Sequence, residues 1–409
     1  AAASELEYEE AQDLNAEYLL PYDLLQGEYH KVDKRVRNDG YLNYYTIQSS
    51  FGEFEAVSTA MLRTRVGEIN ALAELDKLSK TEVFAKAAAD AGIKQLKTVQ
   101  EFATKPVETV EGIPRGIGRM FKRYTRQAEE GVAAAQELVS GDDDAPGEGS
   151  DNGDDDSNVA VDLTESYLGV GKAQRAWARK LGTDPYSSNE VLQAAIKEVA
   201  WAERLGRVGL GFAGVPKIPG ADVIGDVNEA VWSKDPYELR DMNYKRLADT
   251  GADEALIEEY LDNKRMTPTQ QTLYTAAIAE LKDVLGRDGM LREALIPENE
   301  IEMNFLVNSV TMLAWYHINE ENVVSVNTDT VIPVATTNDG TAVIVFATDH
   351  VYWTETIADA ARRYAAVTPE LGAREAWFTG TVSERCREQL EAMGFELHTE
   401  VTATLAYER

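Results

Sequence analysis

The residue types best suited to catalysis lie near the carboxyl terminus, after the β-branched run AVIVFA. Asp349 and His350 follow this run, Glu355 comes shortly afterwards, and Ser383 follows the next predicted strand. Carboxylate, imidazole and hydroxyl groups can exchange protons with a substrate. Side chains at the carboxyl ends of strands line the binding crevice of an open α/β sheet, so Asp349, His350 and Glu355 are candidate catalytic residues. The alternative is that these polar groups only cap helices.

Other chemical motifs lack the spacing or the context that their chemistry requires. The histidines His30, His317, His350 and His398 show no H-x-x-x-H spacing, so a metal site on a helix is not indicated. The run GLGFAG has the letters of a dinucleotide-binding fingerprint, but a helical pattern precedes it and prolines follow it. We therefore expect no organic cofactor. Cys386 falls in a predicted helix, where we expect a half-buried structural thiol.

A segment of extreme composition, SGDDDAPGEGSDNGDDDSN at 140–158, contains no basic and no large apolar residue. Such a segment cannot bury apolar surface, which favours a linker or a solvated surface loop. Asp151, Asp154 and Asp156 also allow a calcium site, because calcium takes oxygen ligands presented on a turn. Their spacing differs from that of an EF-hand loop, so calcium is the alternative to the solvated loop.

The densest positive charge lies in EGIPRGIGRMFKRYTRQ, residues 111–127, although the net charge of the chain is −31. Within residues 99–126, apolar residues recur at steps of three or four, and the basic residues lie mainly off that stripe. The pattern is most typical of a helix that packs into the core, with the basic residues paired to the protein's own carboxylates. The alternative is a helix that binds an acidic partner or an anionic membrane. The candidate partner- or membrane-binding residues are Ile113, Arg115, Ile117, Arg119, Phe121, Lys122, Arg123 and Arg126.

The overall composition narrows the class of partner. The chain has 409 residues, with 71 acidic against 40 basic side chains. This excess of negative charge repels phosphates and argues against nucleic acid as a main partner. No apolar run is long enough for a membrane-spanning helix.

The periodicity of the apolar residues predicts the elements that would position these groups. Helical spacing begins near Ala56, and Asp184-Pro185, Asp235-Pro236 and Thr267-Pro268 have the chemistry of helix starts. After Asn322 the pattern changes to β-branched runs that alternate with helical segments, with a hairpin turn at Asn338-Asp339-Gly340.

The predicted fold is a mostly α-helical N-terminal and central part followed by a small C-terminal α/β domain. The predicted regions are a Tyr-rich arm and helical region at 1–139, an acidic linker or loop at 140–158, a helical region at 159–321, and the α/β domain at 322–409. The Tyr-rich part is predicted to form short strands or an extended arm, because Tyr, Ile, Thr and Phe suit a half-buried strand.

Several phrases together resemble an uncharacterised family of exported proteins from Gram-negative bacteria. The phrases are KLSKTEVF, TKPVETVEGIPRGIGRMF, GTDPYSSNEVLQ, MTPTQQT and WFTGTVSERCREQLEAMGFEL. The resemblance implies export, and it implies no activity, cofactor or catalytic residue because none is assigned to that family. The opening AAASELEYEEAQ is also typical of a chain after signal-peptidase cleavage. We therefore expect an exported protein, periplasmic or extracellular, with its signal peptide removed.

These observations favour a non-catalytic exported protein that acts by binding or self-assembly, as an envelope component or outside the cell. The first alternative is an enzyme with its site around Asp349, His350 and Glu355. The second alternative is peripheral binding to an anionic lipid surface through residues 99–126.

Overall fold

The computed structural model describes residues 7–82, 117–121, 123, 171–203, 227–368 and 372–401. Along these ranges an antiparallel sheet comes first, a run of helices follows, and a mixed sheet with its own helices comes last.

The first sheet is built around one central strand. Its strands are β1 (Leu14–Asn15), β2 (His30–Val32), β3 (Arg35–Asn38), β4 (Asn43–Ser49) and β5 (Gly52–Val57); two short helices, α1 (Ala16–Leu19) and α2 (Tyr22–Leu25), lie between β1 and β2. All pairs are antiparallel, with β5 along one side of β4 and with β3 and β2 on the other.

The prediction of a mostly helical N-terminal part is therefore wrong. Alternation along β4 buries Asn43, Tyr45 and Ile47 on one face, and this period of two is the signature of a half-buried strand. Gly52 has a φ of 107°, a conformation that suits glycine and closes the tight turn between β4 and β5. The Tyr-rich segment is consequently part of a packed sheet and is not an extended arm.

The helical part begins with α3 (Thr59–Ser79), which packs on the first sheet. It continues with α4 (Lys172–Leu181), α5 (Glu190–Glu203), α6 (Val227–Ser233), α7 (Pro236–Ala248), α8 (Glu254–Leu261), α9 (Pro268–Glu280), α10 (Gly289–Glu293) and α11 (Glu300–Asn319). Asp235 and Thr267 cap α7 and α9, as predicted. No helix starts at Asp184, because Asn189 caps α5 instead, accepting a hydrogen bond from the Leu192 N–H at 3.1 Å.

The second sheet has the spatial order β12-β10-β8-β7-β6. Along the chain, the elements of this part are β6 (Val323–Asn327), β7 (Val334–Thr337), β8 (Ala342–Phe346), β9 (His350–Val351), α12 (Glu355–Val367), β10 (Arg374–Phe378), β11 (Thr381–Val382), α13 (Glu384–Ala392) and β12 (Phe395–His398). The short strands β9 and β11 lie outside the five-stranded sheet and pair with each other. Strands β8, β10 and β12 are parallel, whereas β7 is antiparallel to both of its neighbours. The turn at 338–340 joins β7 to β8, with Gly340 at a φ of 88°.

Two groups of buried apolar side chains hold these parts together. The first sheet packs with α3, α4 and α5 in one core, and α6 to α11 pack with the second sheet in the other. Tyr41 and Leu42, in the turn between β3 and β4, belong to the second core. This turn therefore ties the first sheet to the far part of the molecule.

Candidate functional site

The carboxyl ends of β8 and β10 lie at one edge of the second sheet, because the two strands run parallel. The chain passes this edge in β9 and β11, where the Thr381 N–H donates to the Asp349 carbonyl oxygen at 2.9 Å. Gly380 permits this close approach, since a Cβ there would lie 1.9 Å from the same oxygen. Asp349 and His350 thus lie at the edge where α/β sheets commonly bind ligands.

Asp349 uses its carboxylate to hold the first sheet. Its Oδ2 accepts a hydrogen bond from the Asn43 N–H at 2.8 Å, and its Oδ1 accepts one from the Thr59 N–H at 2.9 Å. Its own backbone N–H donates to the Tyr41 carbonyl oxygen at 3.0 Å. Loss of hydration raises the pKa of Asp349, and the two amide donors offset part of that increase.

His350 makes a different set of contacts. Its Nδ1 lies 2.6 Å from Thr381 Oγ1, and its ring meets the Tyr352 ring edge-on at 4.6 Å. Burial lowers the pKa of His350, which favours the neutral imidazole. Within the described ranges, no hydrogen bond joins His350 to Asp349 or Glu355.

Glu355 is the first residue of α12, and its side chain is exposed. The cap of that helix is Thr354, whose Oγ1 accepts a hydrogen bond from the Ile357 N–H at 3.4 Å. The three candidate catalytic residues therefore lie near one another in the chain but do not form one hydrogen-bonded set.

Two asparagines complete the contact between the sheets. Asn38 Nδ2 donates to the His350 carbonyl oxygen at 3.1 Å and to Asn43 Oδ1 at 2.9 Å. Asn43 Nδ2 in turn donates to the Tyr45 hydroxyl at 3.0 Å. We call Asn38, Asn43, Thr59, Asp349 and His350 the strand-end joint. The sequence singled out Asp349 and His350 but not their partners: on the side of the first sheet, Asn38-Asp39-Gly40 is a turn-forming sequence, which reveals a turn but not the distant strand that it meets.

The Ser383 and Cys386 side chains are also occupied by structural contacts. Ser383 Oγ caps α13 by accepting from the Cys386 N–H at 3.0 Å, and it donates to Glu9 Oε2 at 2.5 Å. Burial raises the pKa of the Cys386 thiol to about 12, so the reactive thiolate is disfavoured.

An apolar cavity of about 40 Å³ lies behind the strand-end joint, between the second sheet and α12. We call it the sheet–helix cavity. The sheet contributes Ile344, Phe346, Ala376, Phe378 and Phe395, and α12 contributes Ile357, Ala360, Ala361 and Tyr364. Tyr41, Ile117, Phe121, Phe305, Thr348, Val351 and Leu390 complete the wall.

Aromatic contacts organise this wall. The Phe346 ring stacks on Phe378 with 5.3 Å between centroids and meets Tyr364 edge-on at 5.4 Å. At the other end, the Tyr41 ring stacks on Phe121 at 5.9 Å, and Phe121 lies 6.1 Å from Phe305. The cavity is therefore assembled from segments far apart in the chain, which is why sequence motifs did not reveal it.

Thr348 contributes a polar side chain to this apolar wall. The residue is only 5% exposed, and its Oγ1 has no hydrogen-bond partner within the described residues. The Tyr364 hydroxyl, by contrast, accepts a hydrogen bond from the Ile332 N–H at 3.1 Å. The Tyr41 hydroxyl lies near Thr354 and Thr356, but like Thr348 Oγ1 it is buried and has no hydrogen bond within the described residues.

The described part of the basic stretch lies against the protein itself. Ile117 and Phe121 are buried in the second core, so in this arrangement they do not face a membrane or a partner. Arg123 forms ion pairs with Glu298, at 2.9 Å, and with the fully buried Glu302. Arg119 is exposed. The other candidates, Ile113, Arg115, Lys122 and Arg126, lie outside the described residues.

The predicted calcium ligands Asp151, Asp154 and Asp156 also lie outside the described residues. Within the described ranges, no group of three or more acidic, histidine or cysteine side chains has the geometry to hold a metal ion. In the same ranges, no helix has both the length and the apolar character needed to cross a membrane.

Comparison with known proteins gives no relative for this chain. No family model matches it, and neither the curated proteins nor the solved structures contain a match. The resemblance to exported proteins of Gram-negative bacteria therefore stays a prediction.

Proposed function

We propose that the protein acts by binding, without catalysis, and that its ligand is a small apolar molecule held in the sheet–helix cavity. One observation carries the proposal: side chains from three sheet strands, α12 and the segment at 117–121 surround a space with an almost wholly apolar wall. Protein interiors are close-packed, and space with an apolar wall favours apolar guests over polar ones.

The polar groups nearby support binding rather than catalysis. At the strand-end joint, the Asp349 carboxylate accepts from two backbone amides, and His350 Nδ1 lies beside Thr381 Oγ1. These groups join the two sheets and would have to separate before they could act on a substrate. The apolar wall, in contrast, is formed without any such rearrangement.

The volume sets the size of the ligand. A cavity of about 40 Å³ has room for about three or four groups the size of a water molecule. The best very small ligands gain about 1.5 kcal/mol per non-hydrogen atom. We therefore expect a dissociation constant no tighter than about 10⁻⁵ M for such a ligand.

Xenon under pressure tests the proposal, because xenon enters dry apolar cavities. The readout is NMR of protein labelled at alanine and isoleucine methyl groups. We expect the Ile344, Ile357 and Ala361 methyl signals to shift in a saturable way. A response spread over methyl groups outside the cavity, or no response, would contradict the proposal.

A matched pair of variants makes the test specific. Ala361→Val adds two methyl groups inside the cavity, whereas Ala366→Val adds them on the exposed face of the same helix. Both substitutions carry the same cost in helix propensity. We expect Ala361→Val to abolish the saturable shifts and Ala366→Val to retain them.

A second candidate function is self-association, favoured by exposed apolar side chains at the β6 edge of the second sheet. Leu285 is 72% exposed and Val324 is 38% exposed. The Leu285 N–H donates to the Val324 carbonyl oxygen at 3.0 Å, so the two residues are neighbours on this edge. Because the Val326 N–H also donates to the Leu285 carbonyl oxygen at 2.8 Å, Leu285 occupies this edge of β6, and association would use the exposed apolar side chains rather than the edge backbone.

Light scattering at low and high salt separates this candidate from assembly through the basic stretch. Association through Leu285 and Val324 would survive high salt and be lost in Leu285→Ser. Association through exposed basic residues would weaken as salt rises. A monomer at every salt concentration would contradict both forms of self-association.

We also propose that the protein is exported, on the strength of the resemblance and of the opening sequence. Fractionation of cells expressing the natural gene would place the protein in the periplasm or the medium. Recovery in the cytoplasm alone would contradict export.

A further inference from the structure

We propose that the surface formed by the starts of α12 and α13 is a second binding site, and that its ligand is an extended acidic peptide. In this structure, residues 7–12 of the chain itself occupy the site. We call these residues the N-terminal strap. The site is separate from the sheet–helix cavity, whose wall is formed by other residues.

The position of one carboxylate of the strap is the first step of the argument. Glu9 Oε2 accepts a hydrogen bond from the Trp353 N–H at 2.6 Å and another from Ser383 Oγ at 2.5 Å. Trp353 lies between β9 and α12, and Ser383 caps α13, so the carboxylate lies where the chain leaves the parallel strands and enters the helices. In open α/β sheets this is the place where ligands bind, and helix starts there favour negative charge.

The second step is that the strap is bound through its backbone as well. The Glu9 N–H donates to the Trp353 carbonyl oxygen at 2.8 Å, and Arg385 Nη2 donates to the Glu7 carbonyl oxygen at 3.0 Å. Proteins recognise extended peptides by main-chain hydrogen bonds of this kind, and they recognise acidic motifs through arginine. The contacts of the strap are therefore those that an acidic peptide from another chain could make.

The third step is that the strap can be exchanged. The Tyr8 hydroxyl accepts from Arg362 Nη2 at 3.1 Å, and the Tyr8 ring packs half-buried against the second core. The bonds from Arg362 and Arg385 are exposed, and exposed polar contacts contribute little to stability. Trp353 is buried, so its N–H needs another acceptor when Glu9 leaves. The vacated surface would thus present donors to another carboxylate.

The experiment titrates synthetic peptides against the full chain and follows its amide groups by NMR. The main peptide is EYEEAQ, the sequence of residues 7–12, and two further peptides carry alanine in place of Glu9 or of Glu10. The protein variant Glu9→Ala weakens the hold of the strap. The matched control is Glu10→Ala, which changes the adjacent exposed carboxylate.

We expect EYEEAQ to shift the Trp353 and Ser383 amide signals of Glu9→Ala in a saturable way. It should bind this variant at least about tenfold more tightly than Glu10→Ala, whose intact strap competes at a high effective concentration. Alanine at Glu9 of the peptide should weaken binding by at least about tenfold, the usual effect of hydrogen bonds to a charged group. Alanine at Glu10 of the peptide should leave the affinity unchanged.

Absence of saturable shifts in Glu9→Ala, or equal affinities for the three peptides, would overturn the inference. If acetate produced the same shifts with the same affinity as EYEEAQ, the site would take small acids and the peptide assignment would fail. If Glu9→Ala does not fold, the three peptides are compared on the unaltered protein at higher concentration. Light scattering identifies the source of the peptide: dimers that dissociate in Glu9→Ala assign it to a second copy of the chain, and monomers assign it to another protein.

Discussion

The strand-end joint and the sheet–helix cavity are adjacent, yet their buried polar side chains differ in whether they are hydrogen-bonded. In the joint, the Asp349 carboxylate and the Asn38 and Asn43 amides hydrogen-bond to groups of the other sheet or to each other. At the cavity, the buried Thr348 hydroxyl has no hydrogen-bond partner among the residues that the structure describes.

The difference shows that adjacent positions in the chain can meet different surroundings. Thr348 and Asp349 are consecutive residues after β8. They lie in the turn that follows this strand, where Thr348 lines the cavity and the Asp349 carboxylate accepts hydrogen bonds from Asn43 and Thr59. A polar side chain whose partners come from the fold holds the fold together, whereas one without such partners lowers stability.

The largest expected effect concerns the ion pair beside the cavity wall. Arg123→Ala would leave the buried Glu302 carboxylate without its cation, which typically costs about 3–5 kcal/mol of stability. Chemical denaturation measures this cost. The matched control is Arg119→Ala in the same segment, which is exposed and should change stability by less than about 0.5 kcal/mol. Similar costs for both variants would show that Glu302 does not depend on Arg123.

The next effect tests the joint itself. Asp349→Ala leaves the Asn43 and Thr59 amides without an acceptor, and we expect a loss of about 2–4 kcal/mol in the free energy of unfolding. Glu355→Ala is the control, since this exposed carboxylate lies in the first turn of α12 and its loss should cost about 0.3–1 kcal/mol. If Asp349→Ala were as stable as Glu355→Ala, the hydrogen bonds of the joint would not stabilise the fold.

A third buried carboxyl group shows whether hydrogen bonds alone compensate for burial. Asp184 accepts from the Tyr186 N–H at 2.8 Å and from Thr269 Oγ1 at 2.6 Å, yet burial raises its pKa to about 6. The folded state therefore binds the proton more tightly than the unfolded state, whose pKa is 3.8. Its contribution to stability is greatest below the unfolded pKa and is lost as the pH rises through about 6.

In Asp184→Asn, we expect the free energy of unfolding to fall less steeply as the pH rises from 3.8 to about 6. At pH 7 the variant should be more stable than the unaltered protein by at most about 3 kcal/mol. Melting temperatures measured across this pH range provide the check. A pH profile identical to that of the unaltered protein would contradict the assignment to Asp184.

The smallest effect has the opposite sign to that at the joint. Thr348→Val removes an unpaired hydroxyl while keeping the side-chain shape, so we expect the ligand-free protein to gain about 1 kcal/mol of stability. Thr348→Ser, which retains the hydroxyl, should not gain stability. If Thr348→Val were less stable, the hydroxyl would have a hydrogen-bond partner. The two regions would then not differ in the hydrogen bonding of their buried polar groups.

Local patterns in the sequence predicted local structure where the chemistry is short-range. The Asn338-Asp339-Gly340 hairpin turn and the caps at Asp235 and Thr267 depend on neighbouring residues, and all three occur as expected. Asp184-Pro185 has the same cap chemistry but starts no helix, because its carboxylate binds Thr269, which is distant in the chain. At Asp184, a contact between residues distant in the chain therefore outweighs the local preference to start a helix.

The N-terminal sheet was missed for a related reason. Its strands are short, and β4 pairs along both sides with segments that show little pattern of their own. Alternation at Tyr45 and Ile47 indicates a strand, but it does not state how many partners the strand has. The partners become evident only when the strands are paired in space.

The sequence by itself determined which residues are apolar at helical or strand spacing, where turns and caps form, and that Asp349 and His350 follow a buried strand. These properties depend on neighbours within a few residues. Only the tertiary structure decided that the first sheet supplies amides to Asp349 and that segments from Tyr41 to Phe395 enclose a cavity around Thr348. Hydrogen-bond partners and enclosed space depend on residues far apart in the chain, which is why the role of each polar group is set by the fold.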